Sequence, residues 1–394
     1  MPLDKLVERS ARSAMTLSNL LRGSLIAVVL VTVLLVVFFA YSSSPFDLLP
    51  CSATRMEPQE NFTCPDVCSG NISTFHLRTE EQNGPVVPKT PAGTKEPDTL
   101  LLMWFWPFGV AFEFPSCSEL YNIQGCQFTA DRNLYGKADG VLIHHRDIGG
   151  DLSNMPQTPR PVHQKWIWWN HESPTYSTNL PALNNLFNLT ANYRRDADIF
   201  LPYGTLEEYN ENGTFEIPKK DKLVCWIVSH WNPNHQRRHY YEELKNHINI
   251  DIYGRPFEKY VTDSDFPNLI SSCKFYLSFE NSVHVDYLSG KVYDPLQFGT
   301  VPVVLGPPRD NYEEHAPGDS FIHVEDFPTP KDLANRLLLL DKNETMYREY
   351  FNWRKAYKVK QHSFTLRTVC YACDHVRRFK GYKVFKNFNK WFWG

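Results

Sequence analysis

The chain has 394 residues, 42% of them hydrophobic, which is enough for two folded domains or for one large domain with an appended segment. Its 41 basic and 44 acidic residues give a net charge of -3 without long runs of one sign, so nothing points to nucleic acid as a partner. Nine cysteines fit neither a disulfide mini-protein nor a zinc site, because Cys370-Tyr-Ala-Cys373 is a lone CxxC without a second pair at ligand spacing.

Leu25 to Tyr41 is a 17-residue apolar run interrupted only by Thr32, with Lys5, Arg9, Arg12 and Arg22 before it and few charges after. As a helix it spans about 25 Å, the short end of what crosses a bilayer. The basic flank places the N-terminus in the cytoplasm. A cleaved signal peptide is the alternative, but the charged region is long and no small-x-small site follows. The expectation is a type II single-pass protein: a tail (1–24), a signal anchor (25–41) and the bulk of the chain in the lumen, the short span suiting a thin early-secretory bilayer. From 42 to 98 the composition turns to Pro, Ser, Thr, Glu and Asn without apolar periodicity, as in a stem. Acceptor sequons begin at Asn61, Asn71, Asn188, Asn212 and Asn343, so glycosylation of several is expected in a luminal chain.

Strands are expected at Leu100 to Trp106, Val141 to His145 and Gln164 to Trp169, with helices or loops between, as in a first Rossmann-like domain (99–215). After the first strand pair comes Ile143-His144-His145-Arg146-Asp147, at a strand end where loops face a cleft. His144 and His145 read as packed or hydrogen-bonded structural histidines rather than catalytic ones. The third strand, almost all aromatic, runs into His171-Glu172-Ser173-Pro174. Its apolar surroundings would raise a Glu towards general-base range, although Glu172 also reads as a cap of the following turn. Asp196-Ala197-Asp198 and Asp263-Ser264-Asp265 have the Asp-x-Asp form that holds manganese elsewhere, a pattern common by chance.

A second domain (216–360) is expected from the strand Leu223 to Ser229, a helix from Gln236 to Asn246 with Arg237 in its first turn, and a strand Ile248 to Tyr253. A buried strand, Phe275 to Phe279, leads into a polar loop with Glu280, Asn281, Asp286, Tyr287 and Lys291, and a strand Val301 to Leu305 follows. Ligands of parallel sheets sit at the carboxyl ends of strands, so this loop is where a nucleotide-bearing substrate would be met. Helices are expected at Pro330 to Asp341 and Glu344 to Lys358, the second with Tyr347, Tyr350, Phe351 and Trp353 as a core-packing stripe. The remaining 361–394 would return to the first domain.

Phe279-Glu-Asn-Ser282, Asp286-Tyr287, Lys291 and Gly299-Thr-Val-Pro-Val-Val-Leu-Gly306 resemble the donor signature of the alpha-1,3-fucosyltransferases, the Lewis-type enzymes that use GDP-fucose. The likeness extends from about Thr99 to the C-terminus. It implies an α/β GT-B fold, two Rossmann-like domains facing a cleft, in a Golgi membrane protein. It also implies inverting transfer of fucose from GDP-fucose to the GlcNAc of N-acetyllactosamine chains on glycoproteins and glycolipids, without metal or cofactor. Glu172 matches the base of the family's Glu-Ser-Pro motif. Arg237 matches its phosphate arginine, which pairs two oxygens beside a helix N-terminus. Lys291 matches a second cation and Tyr287 a nucleotide contact, with Asn281, Glu280 and Ser229 lining the donor site; Arg238 is a surface neighbour. His145, Arg146 and Asp147 match the acceptor motif, whose Arg form goes with type 2 chains and Lewis x products. The implied disulfides are Cys117–Cys370, Cys126–Cys373 and Cys225–Cys273. Cys51, Cys64 and Cys68 remain in the stem, either as one free thiol or interchain bridge, or as a local Cys64/Cys68 loop with one idle thiol. A homodimer is left open.

The chain departs from the pattern at Ser289-Gly290-Lys291, where the family reads Thr-Glu-Lys, at His230, where relatives carry Asn, and at Pro295. The proline conflicts with a helix that already includes Lys291, unless that helix starts at Asp294. Two other functions follow from these departures and from the family's branches: a donor-weakened or inactive glycan-binding relative, and a protein O-fucosyltransferase.

Overall fold

The computed structural model describes residues 97–208 and 215–394. The apolar run 25–41, nearly all of the stem with its three cysteines, and the sequons at Asn61, Asn71 and Asn212 lie outside them. Among the described residues no helix is long and apolar enough to cross a membrane.

Two parallel sheets, both of α/β character, organise this region. The first contains β1 (Thr99–Met103), β2 (Cys126–Thr129), β3 (Gly140–His144), β4 (Lys165–Asn170), β5 (Leu189–Asn192) and β6 (Ile199–Phe200) in the order β2-β1-β3-β4-β5-β6. Every residue of β3 and of β4 is buried, as unbroken apolar strands covered on both faces must be. The second contains β8 (Lys222–Ile227), β9 (Asp251–Tyr253), β10 (Cys273–Phe279), β11 (Val301–Leu305) and β12 (Ile322–His323) in the order β12-β11-β10-β8-β9. β10 pairs with β11 from Phe275 opposite Val301 to Phe279 opposite Leu305. Between the sheets β7 (Gly204–Glu208) forms an antiparallel ribbon with β13 (Tyr357–Gln361).

The helices, in chain order, are α1 (Cys117–Tyr121), α2 (Gln236–Leu244), α3 (Phe266–Ser272), α4 (Gly290–Phe298), α5 (Arg309–Glu313), α6 (Pro330–Lys342), α7 (Glu344–Glu349), α8 (Phe364–Arg378) and α9 (Phe388–Trp393). α6 shows why such segments are helical. Thr329 caps it by accepting from the Asp332 amide, Pro330 opens it, and Leu333, Ala334, Leu337 and Leu340 bury one face. The helix expected from Glu344 to Lys358 breaks instead. α7 stops at Glu349, a turn at Asn352–Lys355 follows, and the alternating Tyr357–Gln361 pairs as a strand. The stripe still packs, with Tyr347, Phe351 and Trp353 buried.

α8 closes the first sheet from the far end of the chain. Its Val369, Cys370, Ala372, Cys373 and Val376 join Leu101, Leu142, Ile167 and Trp169 in one core. Disulfides Cys117–Cys370 and Cys126–Cys373 fix it there, at separations of 253 and 247 residues, and Cys225–Cys273 joins β8 to β10. The two long bridges run side by side, so with one intact the other closes only a short further loop, and removing it is expected to cost about 2–3 kcal/mol. A Cys117→Ser/Cys370→Ser chain should therefore unfold several degrees below wild type under non-reducing conditions, as read by circular dichroism.

Two sequons fall among the described residues, at Asn188 and Asn343. Asn188 is fully buried, its Nδ2 donating to the Lys383 carbonyl (2.7 Å) and its Oδ1 accepting from Arg160 and the Trp166 amide. The amide nitrogen of Asn188 is thus committed within the fold. Asn343, half-buried, caps α7 through Oδ1 and leaves Nδ2 uncommitted among the described residues.

Candidate active site

In a doubly wound sheet the crevice forms where the strand order reverses, outside the carboxyl ends of two adjacent strands. In the second sheet that point lies between β8 and β10. Past β8, α2 begins with Arg237 in its first turn, 5% exposed, donating to the Phe279 carbonyl (3.3 Å) and the His230 carbonyl (2.5 Å). Burial lowers its pKa while the nearby Glu280 opposes this, and a guanidinium stays charged regardless. Past β10, the buried Glu280 accepts from the Ser289 amide, the Ser289 hydroxyl and Lys291 Nζ, each at 2.8 Å. These bonds hold the N-terminus of α4. Asn281 accepts from the Ser282 hydroxyl (3.1 Å), and Tyr287 is buried, its phenol pKa raised by burial with Tyr203, Glu280 and Glu172 nearby. Ser229 is exposed beyond β8. Arg238 lies outside this cluster, against Trp231 and near Glu242.

In the first sheet the reversal lies between β1 and β3. The loop after β1 turns at Phe108, at a φ of 55°, and its amide donates to Asp147 (3.1 Å), which also binds His144 Nδ1 (2.6 Å). Arg146 is exposed and donates to the Tyr176 carbonyl (2.8 Å). His145 does not face the cleft. It is 3% exposed between Trp168 and Trp393, and burial holds it at about 4, neutral at working pH. The motif's polarity was legible in the sequence, but not which of its side chains turn inward.

Glu172 follows β4 by two residues. Asn170 fixes its backbone, accepting from the Glu172 amide (3.1 Å) and donating to its carbonyl (3.2 Å). Its half-buried carboxylate has no hydrogen-bond partner among the described residues. Burial raises the pKa of four phenols, Tyr176, Tyr193, Tyr203 and Tyr287, and the Glu172 carboxylate adds to each, so all four stand near it. The base candidate, Tyr287 and Glu280 thus meet where the two sheets' carboxyl ends converge. Sequence reasoning missed Tyr193 and Tyr203. Tyr193 has a buried hydroxyl without a partner among the described residues, and Tyr203 donates to the His171 carbonyl (2.5 Å). Each lies just past the carboxyl end of a short strand, and that position was the available signal.

The Asp-x-Asp pairs serve the scaffold. Asp196 binds Arg194 and Trp391, Asp198 binds Thr190 and Lys383, and Asp265 binds Thr262. Among the described residues no trio of His, Cys, Asp and Glu converges as a metal site.

The three departures are now placed. α4 starts at Gly290 and contains both Lys291 and Pro295, so the alternative start at Asp294 is wrong. The Lys291 carbonyl, deprived of its helical donor by the proline, accepts from the Ser278 hydroxyl (2.6 Å) instead. A Cβ on Gly290 would stand 3.3 Å from Asp294 Oδ2, so that carboxylate occupies the space beside the glycine. Gln361 donates to its other oxygen (2.5 Å), and burial raises Asp294 to about 6. Gly290→Glu would face Asp294 one turn away as a like charge. It is expected to weaken donor affinity by about fivefold rather than improve it, and Gly290→Glu/Asp294→Asn to recover most of that loss, as read from the KM for the donor. His230 is exposed, its ring edge-on to Tyr176.

Residues 96–204 match the family description "Fucosyltransferase, N-terminal", and residues 217–391 match "Glycosyltransferase family 10 (fucosyltransferase) C-term". The chain is 53% identical over 296 residues to 4-galactosyl-N-acetylglucosaminide 3-alpha-L-fucosyltransferase 9 of Bos taurus, covering 75% of this chain and 82% of the relative. It is 41% identical over 319 residues to 3-galactosyl-N-acetylglucosaminide 4-alpha-L-fucosyltransferase FUT3 of Pongo pygmaeus, covering 78% and 85%. A crystal structure of alpha1,3-fucosyltransferase with GDP-fucose aligns with a TM-score of 0.48 at 17% identity, over 74% of this chain and 94% of that one.

Proposed function

We infer from its membership of glycosyltransferase family 10, the fucosyltransferases, to which this chain belongs, that it is an alpha-1,3-fucosyltransferase. Its donor is GDP-β-L-fucose and its acceptor the GlcNAc of N-acetyllactosamine, giving Lewis x type structures. The 53% identity to a 4-galactosyl-N-acetylglucosaminide 3-alpha-L-fucosyltransferase, against 41% to a relative named for 3-galactosyl acceptors, carries this reading.

The site's chemistry suits it. Glu172, whose carboxylate is uncommitted among the described residues, takes the proton from the GlcNAc 3-hydroxyl as that oxygen attacks the anomeric carbon of fucose. GDP leaves from the opposite face, so the β-linked donor gives an α-linked product. Arg237 and Lys291, at the starts of α2 and α4, take up the diphosphate charge with the help of both helix dipoles. Lys291 then exchanges its bond to Glu280 for phosphate oxygen. Two side-chain cations make this a metal-independent transfer. Exposed Arg146, bonded to the Tyr176 carbonyl of the Glu172 loop, fits an acceptor contact. The architecture we assign is GT-B, with domains at 99–215 and 216–360 and a returning segment at 361–394. The apolar run and the basic residues before it support a type II Golgi membrane protein with a luminal catalytic part.

Fucose transfer by the full chain, with GDP-fucose and either N-acetyllactosamine or its β-1,3-linked isomer, tests the reading. Product on the first acceptor, undiminished by EDTA, is the expected result. Product only on the isomer or on peptide acceptors would overturn the assignment. GDP binding without any product would favour a glycan-binding relative.

A further inference from the structure

The short segment carrying Glu172 is fastened to both sheets. On its own side it is held by Asn170, whose amide also donates to the Ser177 hydroxyl (2.8 Å), and by Trp393, which donates to the Ser177 carbonyl (3.0 Å). On the other side three of its side chains cross to residues of the second sheet's loops. The Ser173 and Ser282 hydroxyls hydrogen-bond each other (2.7 Å), Thr175 hydrogen-bonds His284 Nε2 (2.7 Å), and Tyr176 hydrogen-bonds His235 Nε2. All belong to one compact unit, residues 89–394.

We propose that Ser173, Thr175 and Tyr176 form a latch that positions Glu172 against the donor half of the site. Three observations support it. Among the described residues the Glu172 side chain has no hydrogen bond, so its carboxylate is placed by its backbone, which Asn170 holds on one side and the latch residues just after it hold on the other. The partners are the groups that organise the other half. His235 is the residue before α2, two before Arg237, and Ser282 and His284 lie in the loop that follows Glu280 and Asn281. Tyr176 is close enough to both Arg237 and Glu172 for each to act on its phenol, so it lies near both the cation and the carboxylate. Burial favours the neutral form of both His235 and His284, so these are hydroxyl–imidazole bonds rather than ion pairs. The latch is a positioning device, distinct from substrate binding. An acceptor oxygen must meet base and anomeric carbon together, and a misplacement of about 1 Å is enough to cost roughly a hundredfold in rate.

The proposal rests on Glu172 being the base. The full chain carrying Thr175→Val, Tyr176→Phe or both, with Glu172→Gln alongside, tests it through kcat for transfer and Kd for GDP. Thr175 is exposed, so its variant changes little besides the bond. Expected is a fall in kcat of about tenfold for each single variant and about a hundredfold for the pair, with GDP affinity within about twofold of wild type. Thr175→Ser, which keeps the hydroxyl, should restore the rate lost in Thr175→Val. His284→Ala added to Thr175→Val should lower it no further, because both remove one bond. Wild-type kcat in the paired variant, with Glu172→Gln inactive, overturns the latch. GDP affinity falling in step with kcat overturns it too, by making these residues donor contacts. An active Glu172→Gln overturns the base assignment and the latch with it, whatever the other variants do.

Discussion

Glu172→Gln is expected to lower kcat for fucose transfer by about 10³-fold, within the 10²–10⁴ range of a lost general base, and to leave GDP affinity unchanged. The replacement is nearly isosteric. It keeps the Asn170 bonds, which run through the Glu172 backbone, and it breaks no side-chain hydrogen bond among the described residues. What it removes is the capacity to accept a proton. Steady-state kinetics with N-acetyllactosamine and calorimetric titration with GDP would separate the effects. A variant within tenfold of wild type would mean that the proton leaves through another group or through water.

The second large effect is expected at Arg237. Arg237→Ala should raise the KM for GDP-fucose by about 10- to 100-fold, the range of a lost charge-assisted hydrogen bond, and lower kcat as well because the leaving diphosphate loses its counter-charge. Arg237→Lys keeps the charge but not the fork. It also lacks the second arm needed to reach both the Phe279 and His230 carbonyls, so it should fall between wild type and alanine. Product inhibition by GDP is the discriminating measurement, weakening with the alanine variant if the contact is to phosphate. If the KM for donor stays level while that for acceptor rises, Arg237 serves the scaffold and another cation holds the diphosphate.

Much of the scaffold was legible because it is apolar and parallel. Strands buried on both faces, such as Val301–Leu305 and the aromatic β4, read as unbroken hydrophobic runs. Their ends were harder. β1 stops at Met103, yet the aromatic run continues through Trp104, Phe105 and Trp106 until Pro107 and Gly109 mark the turn, so the strand's own end carries no signal. The β7–β13 ribbon was invisible because Tyr357–Gln361 alternates weakly and follows an aromatic helix, so the helical period carried past its true end. The polar residues just past strand ends, Glu172, Arg237 and Glu280, could be found from position. The roles of His145 and Asn188 could not, since burial is decided by what folds over a residue. Trp393 covers His145 from 248 positions away in sequence, and the Lys383 carbonyl reaches Asn188 from 195. Pro295 was misjudged for a related reason, because Ser278 on a neighbouring strand supplies the donor that the helix lacks.

The return of α8 to the first sheet also sets a timetable. Cys117 is made 253 residues before Cys370, and Cys126 is made 247 before Cys373. At about 5–20 residues per second, the ribosome takes roughly 13 to 50 seconds to deliver the second member of each pair. During that interval the first sheet lacks the helix that fills its core, and Cys117 and Cys126, only nine positions apart, are each other's nearest available thiols. The first half of the chain must therefore wait, incomplete, for the last thirty residues, and a premature Cys117–Cys126 bond has to be exchanged before the native pair can form.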